Sequence, residues 1–559
     1  MKRVYLLVFA VVLTVLGVSA EVVTVAQAQA AAQRFVQENQ SRFASGNASQ
    51  NLQLAHVAYS NGRDADYYVF NLKADGGYII VGGDDLAQPV WGYSARGAFE
   101  FDKLPENMRW WLSEYQRQLD WLRGHSDAKP QLALTLSSSV APLLTTIWDQ
   151  FAPFNNLCPV FRVSGRDYVA PSGCLATAMA QIMNYYQWPL QGAGSHSYTY
   201  TADDGAEMNF SANFAESTYD WSNMLDSYRG SYNNTQAQAV AKLMSDAGIA
   251  IDMAYNAFES YAYYDKAVEA LISYFDYSPS VNYLLKDYYS SDWEALLRAE
   301  LDANRPVFYF GQTPSNGGHA FVMDGYNTDG YFHINWGWSG DYDGYFATSL
   351  LRPYSPSNNP DAHNYSYSQG AIIGIEPDNT GTGGIVLKSG IIPAAATMPA
   401  NDVRASFDVE AVGGPYNGSL NFIVCTKTGN DSYSWYTSNV VTINVSLAAG
   451  ERKTIEVNRS FNYLTEGETY YFFLINPYVT IANFYWCTPV AFTVGNWPFA
   501  AGDVNGDGKI TIGDVTVLID YLLDNNAPGV VPYAADVNGD NNVSISDISA
   551  LIDKLLNNN

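Results

Sequence analysis

The stretch Pro171-Ser172-Gly173-Cys174-Leu175-Ala176-Thr177-Ala178-Met179-Ala180-Gln181-Ile182-Met183 places a thiol where a glycine-bearing turn passes into strong helix formers. That position is the first turn of a helix, where partial positive charge and free N–H groups favour the anionic form of a thiol. The thiolate, not the thiol, is the nucleophile. A free cysteine is also among the most buried residue types and often only packs, so partners elsewhere in the chain decide what Cys174 does. A working thiol needs a histidine to take its proton, a polar residue to orient that imidazole, and donors aimed at the developing oxyanion.

Six histidines are available: His56, His125, His196, His319, His333 and His363. His56 and His125 precede a segment that reads as cleavable, and His196 and His363 sit in Ser-, Tyr- and Asn-rich loops. His319 follows Gly317-Gly318 and opens the apolar run Ala320-Phe321-Val322-Met323, so a tight turn sets its ring at a strand end. The next strand pattern, Tyr331 to Trp338, supplies Asn335, whose amide oxygen can accept from an imidazole nitrogen, and Trp336, which can shield that bond from water. His333 alternates onto the face of Asn335 but deeper in the strand, which is a structural position. For the oxyanion, the Cys174 backbone N–H is one donor, and the side-chain amide of Gln150, in the loop Thr146 to Asn155, is either a second donor or a solvated loop residue.

Around this centre, the 559 residues exceed what one hydrophobic core supports, about 250 to 300, so three or four domains are expected. Residues 1–20 read as a signal peptide: Lys2-Arg3, an apolar run from Tyr5 to Gly17, then Val18-Ser19-Ala20. The protein is therefore expected to be secreted, extracellular or attached at the cell surface. No later segment offers the roughly 18 apolar residues of a spanning helix, so no membrane anchor is expected. A net charge of −27 argues against a nucleic-acid partner, which would require clustered Lys and Arg. Cys158, Cys174, Cys425 and Cys487 are too few for a disulfide scaffold; Cys425 and Cys487, in one β-rich segment, could pair.

Residues 21–140 form an α+β block, with a helical pattern over Ala26 to Gln37, strands near 56–60, 66–72 and 77–82, and a helix opened by Leu104-Pro105-Glu106. Its last stretch, 125–140, loses periodicity and reads as an exposed, cleavable linker. Residues 141–376 are the largest block, helices first and aromatic strands later, an α+β pattern. Residues 377–497 show regularly spaced alternating strands, an all-β immunoglobulin-like sandwich with no catalytic constellation. In 498–559 an internal repeat sets oxygen ligands at positions 1, 3, 5, 7, 9 and 12 of two twelve-residue loops, a calcium pattern. The ligands are Asp503, Asn505, Asp507, the Lys509 carbonyl, Thr511 and Asp514, then Asp536, Asn538, Asp540, the Asn542 carbonyl, Ser544 and Asp547. Apolar helices are expected over 515–523 and 548–556, with no helix before either loop.

Two families resemble these blocks. Trp148-Asp149-Gln150, Pro153-Phe154-Asn155, Cys158-Pro159, Ser172 to Ala178, Gln181-Ile182-Met183, Trp188-Pro189, Asn304-Arg305-Pro306, Gly317 to Phe321 and His333 to Trp338 together resemble the streptopain family of papain-fold cysteine peptidases. The resemblance implies Cys174 as nucleophile, His319 as base and acid, Gln150 in the oxyanion hole, Asn335 and Trp336 supporting the histidine, and a thioester route needing no cofactor. The front block, through Gly76 to Asp85, Gly92-Tyr93-Ser94 and Leu104 to Asn107, resembles that family's inhibitory propeptide, which implies a zymogen. The duplicated loops, with Asp rather than Glu at position 12 and Asn541 where the first loop has Gly508, resemble a dockerin module, which implies structural calcium and a cohesin partner. The rival expectations are a non-enzymatic secreted binding or scaffold protein with a degenerate papain-like domain, and an acyltransferase using the same dyad.

Overall fold

The structure is a computed structural model and describes residues 22–43, 52–60, 62–73, 75–124, 135–202, 207–286, 292–312, 318–350, 369–378, 384–388, 390–427, 433–434, 440–475, 489–495, 500–506, 508–524, 532–540 and 542–557. The signal-peptide residues 1–20, most of the linker, His125, His363, Cys487, Asp507 and Asn541 lie outside the described residues. The chain divides into two compact units, one of 1–137 with 328–331 and 344–353, the other of 138–327, 332–343 and 354–559.

In the first unit, helix α1, Val25–Glu38, starts at a capping box in which Thr24 and Gln27 satisfy each other's exposed N–H groups. Ala28, Ala32 and Val36, spaced by four, form its buried stripe. Strands β1 Leu52–Ala58, β2 Tyr67–Leu72, β3 Tyr78–Gly82 and β4 Val90–Ser94 form an antiparallel meander. β4 was not evident from the sequence. A fifth strand, Gly344–Phe346, arrives from the 141–376 block and pairs antiparallel with β4. Gly92 permits this, since a Cβ there would lie 2.5 Å from Phe346 Cδ1. Helix α2, Glu106–Gly124, covers the sheet; the Tyr115 hydroxyl lies 3.0 Å from the Trp91 carbonyl and 2.6 Å from that of Ala347. Arg123 spans the carboxylates of Asp66 at 2.6 Å and Asp84 at 3.0 Å, both buried.

The second unit holds the thiol. Helix α3, Cys174–Tyr186, has Leu175 to Asn184 buried without a polar face, as expected of a helix enclosed on all sides. Helices α4 Asn234–Ala250, α5 Asp265–Tyr274 and α6 Trp293–Asp302 accompany it. The sheet runs in the order β8 (Phe332–Asn335), β7 (Gly318–Tyr326), β6 (Val307–Gln312), β9 (Gly370–Ile373) and β5 (Asn282–Leu285), all antiparallel. α3 lies against β7 and β6. Two hairpins, Val160–Val163 with Arg166–Val169 and Ser195–Thr201 with Glu207–Asn213, add to the α+β arrangement expected for this block.

The sandwich follows. Val403–Val412 is flanked by Gly384–Leu387 and Arg452–Arg459, while Tyr416–Lys427 is flanked by Val440–Leu447 and Thr469–Ile475, the latter paired with Val490–Val494. Phe407, Val409, Leu420, Phe422, Phe472 and Leu474 fill the space between the sheets. Val386 and Val412 join the same apolar cluster as Ile272 of α5, and Lys388 pairs with Glu269. At the C-terminus, α7 Ile512–Asp524 and α8 Ile545–Asn557 pack through Val504, Val515, Leu518, Ala535 and Leu551. Both helices begin three residues earlier than their apolar runs, because Asp514 and Asp547 sit in the first turn, where a carboxylate faces free N–H groups. A helical turn, Pro532–Ala535, does precede the second loop, contrary to the expectation from sequence.

The start of α3 depends on Gly173, whose φ is +89° and whose absent Cβ would stand 2.6 Å from Met253 Cε and 3.3 Å from the Ser260 carbonyl oxygen. Gly173→Ala is expected to destabilise the catalytic unit by about 2 kcal/mol through left-handed strain and overlap, read as a lower midpoint of that unit's thermal transition.

Candidate active site

Cys174 is the first residue of α3, and its N-cap, Gly173, supplies no side-chain acceptor. The first N–H groups of the helix are therefore not covered by a capping side chain, which leaves the partial positive charge facing the thiol. The turn before it is braced from two sides. Ser172 N donates to the Gln150 carbonyl at 2.9 Å, and Ser260 Oγ donates to the Pro171 carbonyl at 2.8 Å. The first bond brings the buried Gln150 beside the helix start. Gln150 N donates in turn to Asp149 Oδ1 at 2.6 Å, and Asp149 Oδ2 accepts from Ser339 Oγ at 2.7 Å.

His319 is the second residue of β7, opposite Gly311 of β6. Burial pushes its imidazole down to about 4, so the ring is neutral near pH 7. The Tyr264 hydroxyl donates to the Gly311 carbonyl at 2.9 Å and lies against Gly318, the residue before His319. Burial holds the Tyr264 phenol far above its ordinary range, and Cys174 adds to that shift. The hydroxyl thus meets β6 at the residue paired with His319.

Asn335 was expected to orient the imidazole, and here its amide is engaged elsewhere. Asn335 Oδ1 accepts from Gln181 Nε2 at 3.1 Å and from Gly337 N at 3.0 Å, while Nδ2 donates to the Thr146 carbonyl at 2.8 Å. Among the described residues no hydrogen bond links it to the His319 ring. A buried amide saturates its donors and acceptors with whatever lies closest, and Gln181 projects from α3 directly against it. Trp336 is buried, donates Nε1 to the Tyr342 carbonyl at 3.0 Å and packs on Phe321 with ring centroids 4.9 Å apart. His333 pairs with the buried Asp324 at 2.6 Å, the structural position its place in the strand suggested. Cys158 is buried and its thiol is pushed up to about 12, which makes it an inert packing residue beside the half-buried Cys174. Cys425 is buried as well.

In the C-terminal loops the carboxylates turn inward. Asp514 accepts from Asn505 N at 3.1 Å and Thr511 N at 2.8 Å; Asp547 accepts from Val537 N and Ser544 N at 2.8 and 2.9 Å. Asp536, Asp540 and Asp547 each bring one oxygen within 4.8 Å of the others. Asp503 Oδ1 is buried with no hydrogen-bond partner, an expensive state for a carboxylate oxygen unless a cation satisfies it.

The peptidase C10 family model matches residues 148–346. Streptopain from Streptococcus pyogenes is 31% identical over 365 residues, which span 63% of this chain and 91% of streptopain. The chain belongs to the peptidase C10 family. As a C10 protein it is a cysteine-type peptidase, and the Spi protease inhibitor model matches its residues 20–119, so the peptidase is made as a zymogen with its inhibitor segment in front. The dockerin type I model matches residues 501–556. The thiol protease/hemagglutinin PrtT of Porphyromonas gingivalis is 34% identical over 403 residues, 69% of this chain but 45% of that protein, so this C10 chain spans less than half of that relative. A solved fragment of prointerpain A from Prevotella intermedia is 33% identical, covers 58% of this chain and 99% of its own, and superposes with a TM-score of 0.49.

The braces of this C10 site, Gln181, Ser260 and Tyr264, had no assigned role at the level of sequence. Gln181 was visible only as part of a family motif, and Tyr264 closes the aromatic run Tyr261-Ala262-Tyr263-Tyr264, where nothing marks one tyrosine over another. The depressed His319 pKa has a solution signature. In the histidine-labelled full-length protein, the resonance removed by His319→Gln is expected to titrate near pH 4 rather than 6.5, read by NMR. Because the unfolded chain takes up this proton below about pH 6.5 and the folded one only near 4, the contribution of His319 to stability falls as pH drops through that window.

Proposed function

We propose that the protein is a secreted cysteine endopeptidase in which Cys174 and His319 form the catalytic dyad. The observation that carries this reading is geometric: Cys174 opens α3, and α3 lies against β7, the strand that carries His319 near its start. Cys174 Sγ attacks the carbonyl carbon of a peptide bond in a protein or peptide substrate as its proton passes to the neutral His319 ring. The tetrahedral oxyanion is received by the Cys174 backbone N–H and the side-chain amide of Gln150, which the bond between Ser172 and Gln150 keeps beside the helix start. His319 then gives its proton to the leaving amine and a thioester remains. Water, deprotonated by His319, attacks that thioester and frees the acid and the thiol. Asn335 holds the end of β8 against α3 through Gln181, and Trp336 keeps water from that contact.

The inhibitor-like front segment is read as an intramolecular partner that holds the enzyme inactive until it is cut away; tethering gives it a high effective concentration. The signal-like residues 1–20 support export, and no helix of the described residues is long and apolar enough to cross a membrane. The two C-terminal loops are read as calcium sites, held by Asp503, Asn505, Asp507, the Lys509 carbonyl, Thr511 and Asp514, and by Asp536, Asn538, Asp540, the Asn542 carbonyl, Ser544 and Asp547. The unpartnered Asp503 oxygen supports that reading. Calcium there would neutralise the converging carboxylates and fix each loop onto its helix. Exposed Ile512 and Leu523 of α7 recur as Ile545 and Leu556 of α8, an apolar surface suited to a cohesin partner.

Cys174→Ala is the deciding test: casein hydrolysis by the matured protein is expected to fall on the order of 10³-fold or more, and retained cleavage would remove the assignment. Chelation by EGTA is expected to lower the thermal midpoint of the C-terminal module while leaving hydrolysis unchanged, and added calcium to restore it less fully in Asp503→Ala.

A further inference from the structure

Segment 253–264 touches both halves of the proposed dyad. Met253 fills the space that a side chain at residue 173 would need. Ser260 Oγ holds the Pro171 carbonyl at 2.8 Å, three residues before the thiol. Four residues later, Tyr264 reaches the other side of the site. Its ring is stacked on Phe310 with centroids 4.3 Å apart at 17°, and Phe310 is stacked on Tyr283 at 5.1 Å and 10°. The ring is therefore fixed by packing, and its hydroxyl has one place to go. The proton is donated to the Gly311 carbonyl at 2.9 Å, directly across the ladder from His319. Residue 318 must be glycine for this approach, because a Cβ there would collide with the Tyr264 oxygen.

We propose that Tyr264 is a positioning residue for His319, and that its hydroxyl sets where the imidazole stands relative to the Cys174 thiol. The proposal rests on the dyad reading given above. A hydroxyl whose only proton is committed to a carbonyl is not a general acid, and burial together with the neighbouring thiol keeps it from acting as a base. What it contributes is geometry. Among the described residues β6 and β7 are paired as far as Gln312 and Gly318. His319 is thus one residue from the end of its ladder, where strand pairing alone leaves a backbone free to fray. The Tyr264 hydroxyl adds an anchor at that point, bonded to Gly311 on one strand and packed against Gly318 on the other. Small misplacements of a base relative to its nucleophile lower turnover steeply, while substrate affinity depends on other contacts.

Tyr264→Phe tests this, since it keeps the stacking on Phe310 and removes only the hydroxyl. The full-length variant is matured by a tagged protease that is then removed, and two rates are measured. The first is turnover of a peptide amide; the second is alkylation of Cys174 by iodoacetamide at pH 7, which reports activation of the thiol by its imidazole without substrate. Both are expected to fall about tenfold or more, with KM within twofold of wild type and the thermal midpoint unchanged. Turnover or alkylation within twofold of wild type overturns the proposal, as does a loss matched by a lower thermal midpoint, which makes the hydroxyl merely structural. Cys174→Ala and His319→Ala are run in parallel. If either keeps wild-type turnover, the dyad reading fails, whatever Tyr264→Phe shows.

Discussion

The site depends on the burial of one helix start. α3 is enclosed by apolar contacts along nearly its whole length, with Leu175, Ala176, Met179, Ala180 and Met183 each at most 2% exposed. A helix held on every side has no freedom to slide or rotate, because interiors are packed like crystals and not like oil. Its first residue is therefore fixed in space by residues that take no part in any reaction. The positive φ of Gly173 then lets the chain enter that helix from a turn tight enough to keep the first N–H groups open. Cys174 is placed by that packing and is still partly accessible.

Desolvation sorts the ionisable groups around this point. Cys158 and Cys174 are the same residue type sixteen positions apart, yet burial away from a helix end pushes the Cys158 thiol up to about 12. Cys174 has a helix N-terminus before it and solvent beside it. The same physics acts with opposite sign on His319, whose charged form is penalised, so that the ring is neutral near pH 7. A polar side chain in such surroundings cannot be left unpaired, which explains why the Asn335 amide is saturated by Gln181, Thr146 and Gly337.

The flanking modules show two ways of using the chain. In the first unit, strand Gly344–Phe346 pairs with Val90–Ser94, some 250 residues earlier, so the inhibitor-like sequence folds together with a piece of the peptidase sequence. The sandwich shares an apolar cluster with α5 through Val386 and Val412, which makes it more than a tethered appendage. The C-terminal pair of helices instead has its own small core and loops crowded with carboxylates.

Much was legible from residues alone. The thiol at a helix start, the histidine at a strand start, the alternation of the sandwich and the duplicated oxygen ligands are local patterns, and local patterns follow from helix and strand periods that any sequence displays. Family motifs then tied Cys174 to His319 across 145 positions, which no periodicity can do. Three things required the folded chain. β4 and strand 344–346 are recognised only as each other's partners, since a short strand acquires its identity from the neighbour that satisfies its N–H and C=O groups. Asn335 turned to Gln181 rather than to the imidazole, because a buried amide answers to distance and not to sequence order. Tyr264 came to the site through the pairing of Gly311 with His319 and the stack on Phe310. A tyrosine in an aromatic run gives no sign of which carbonyl its hydroxyl will reach, and only tertiary packing makes that choice.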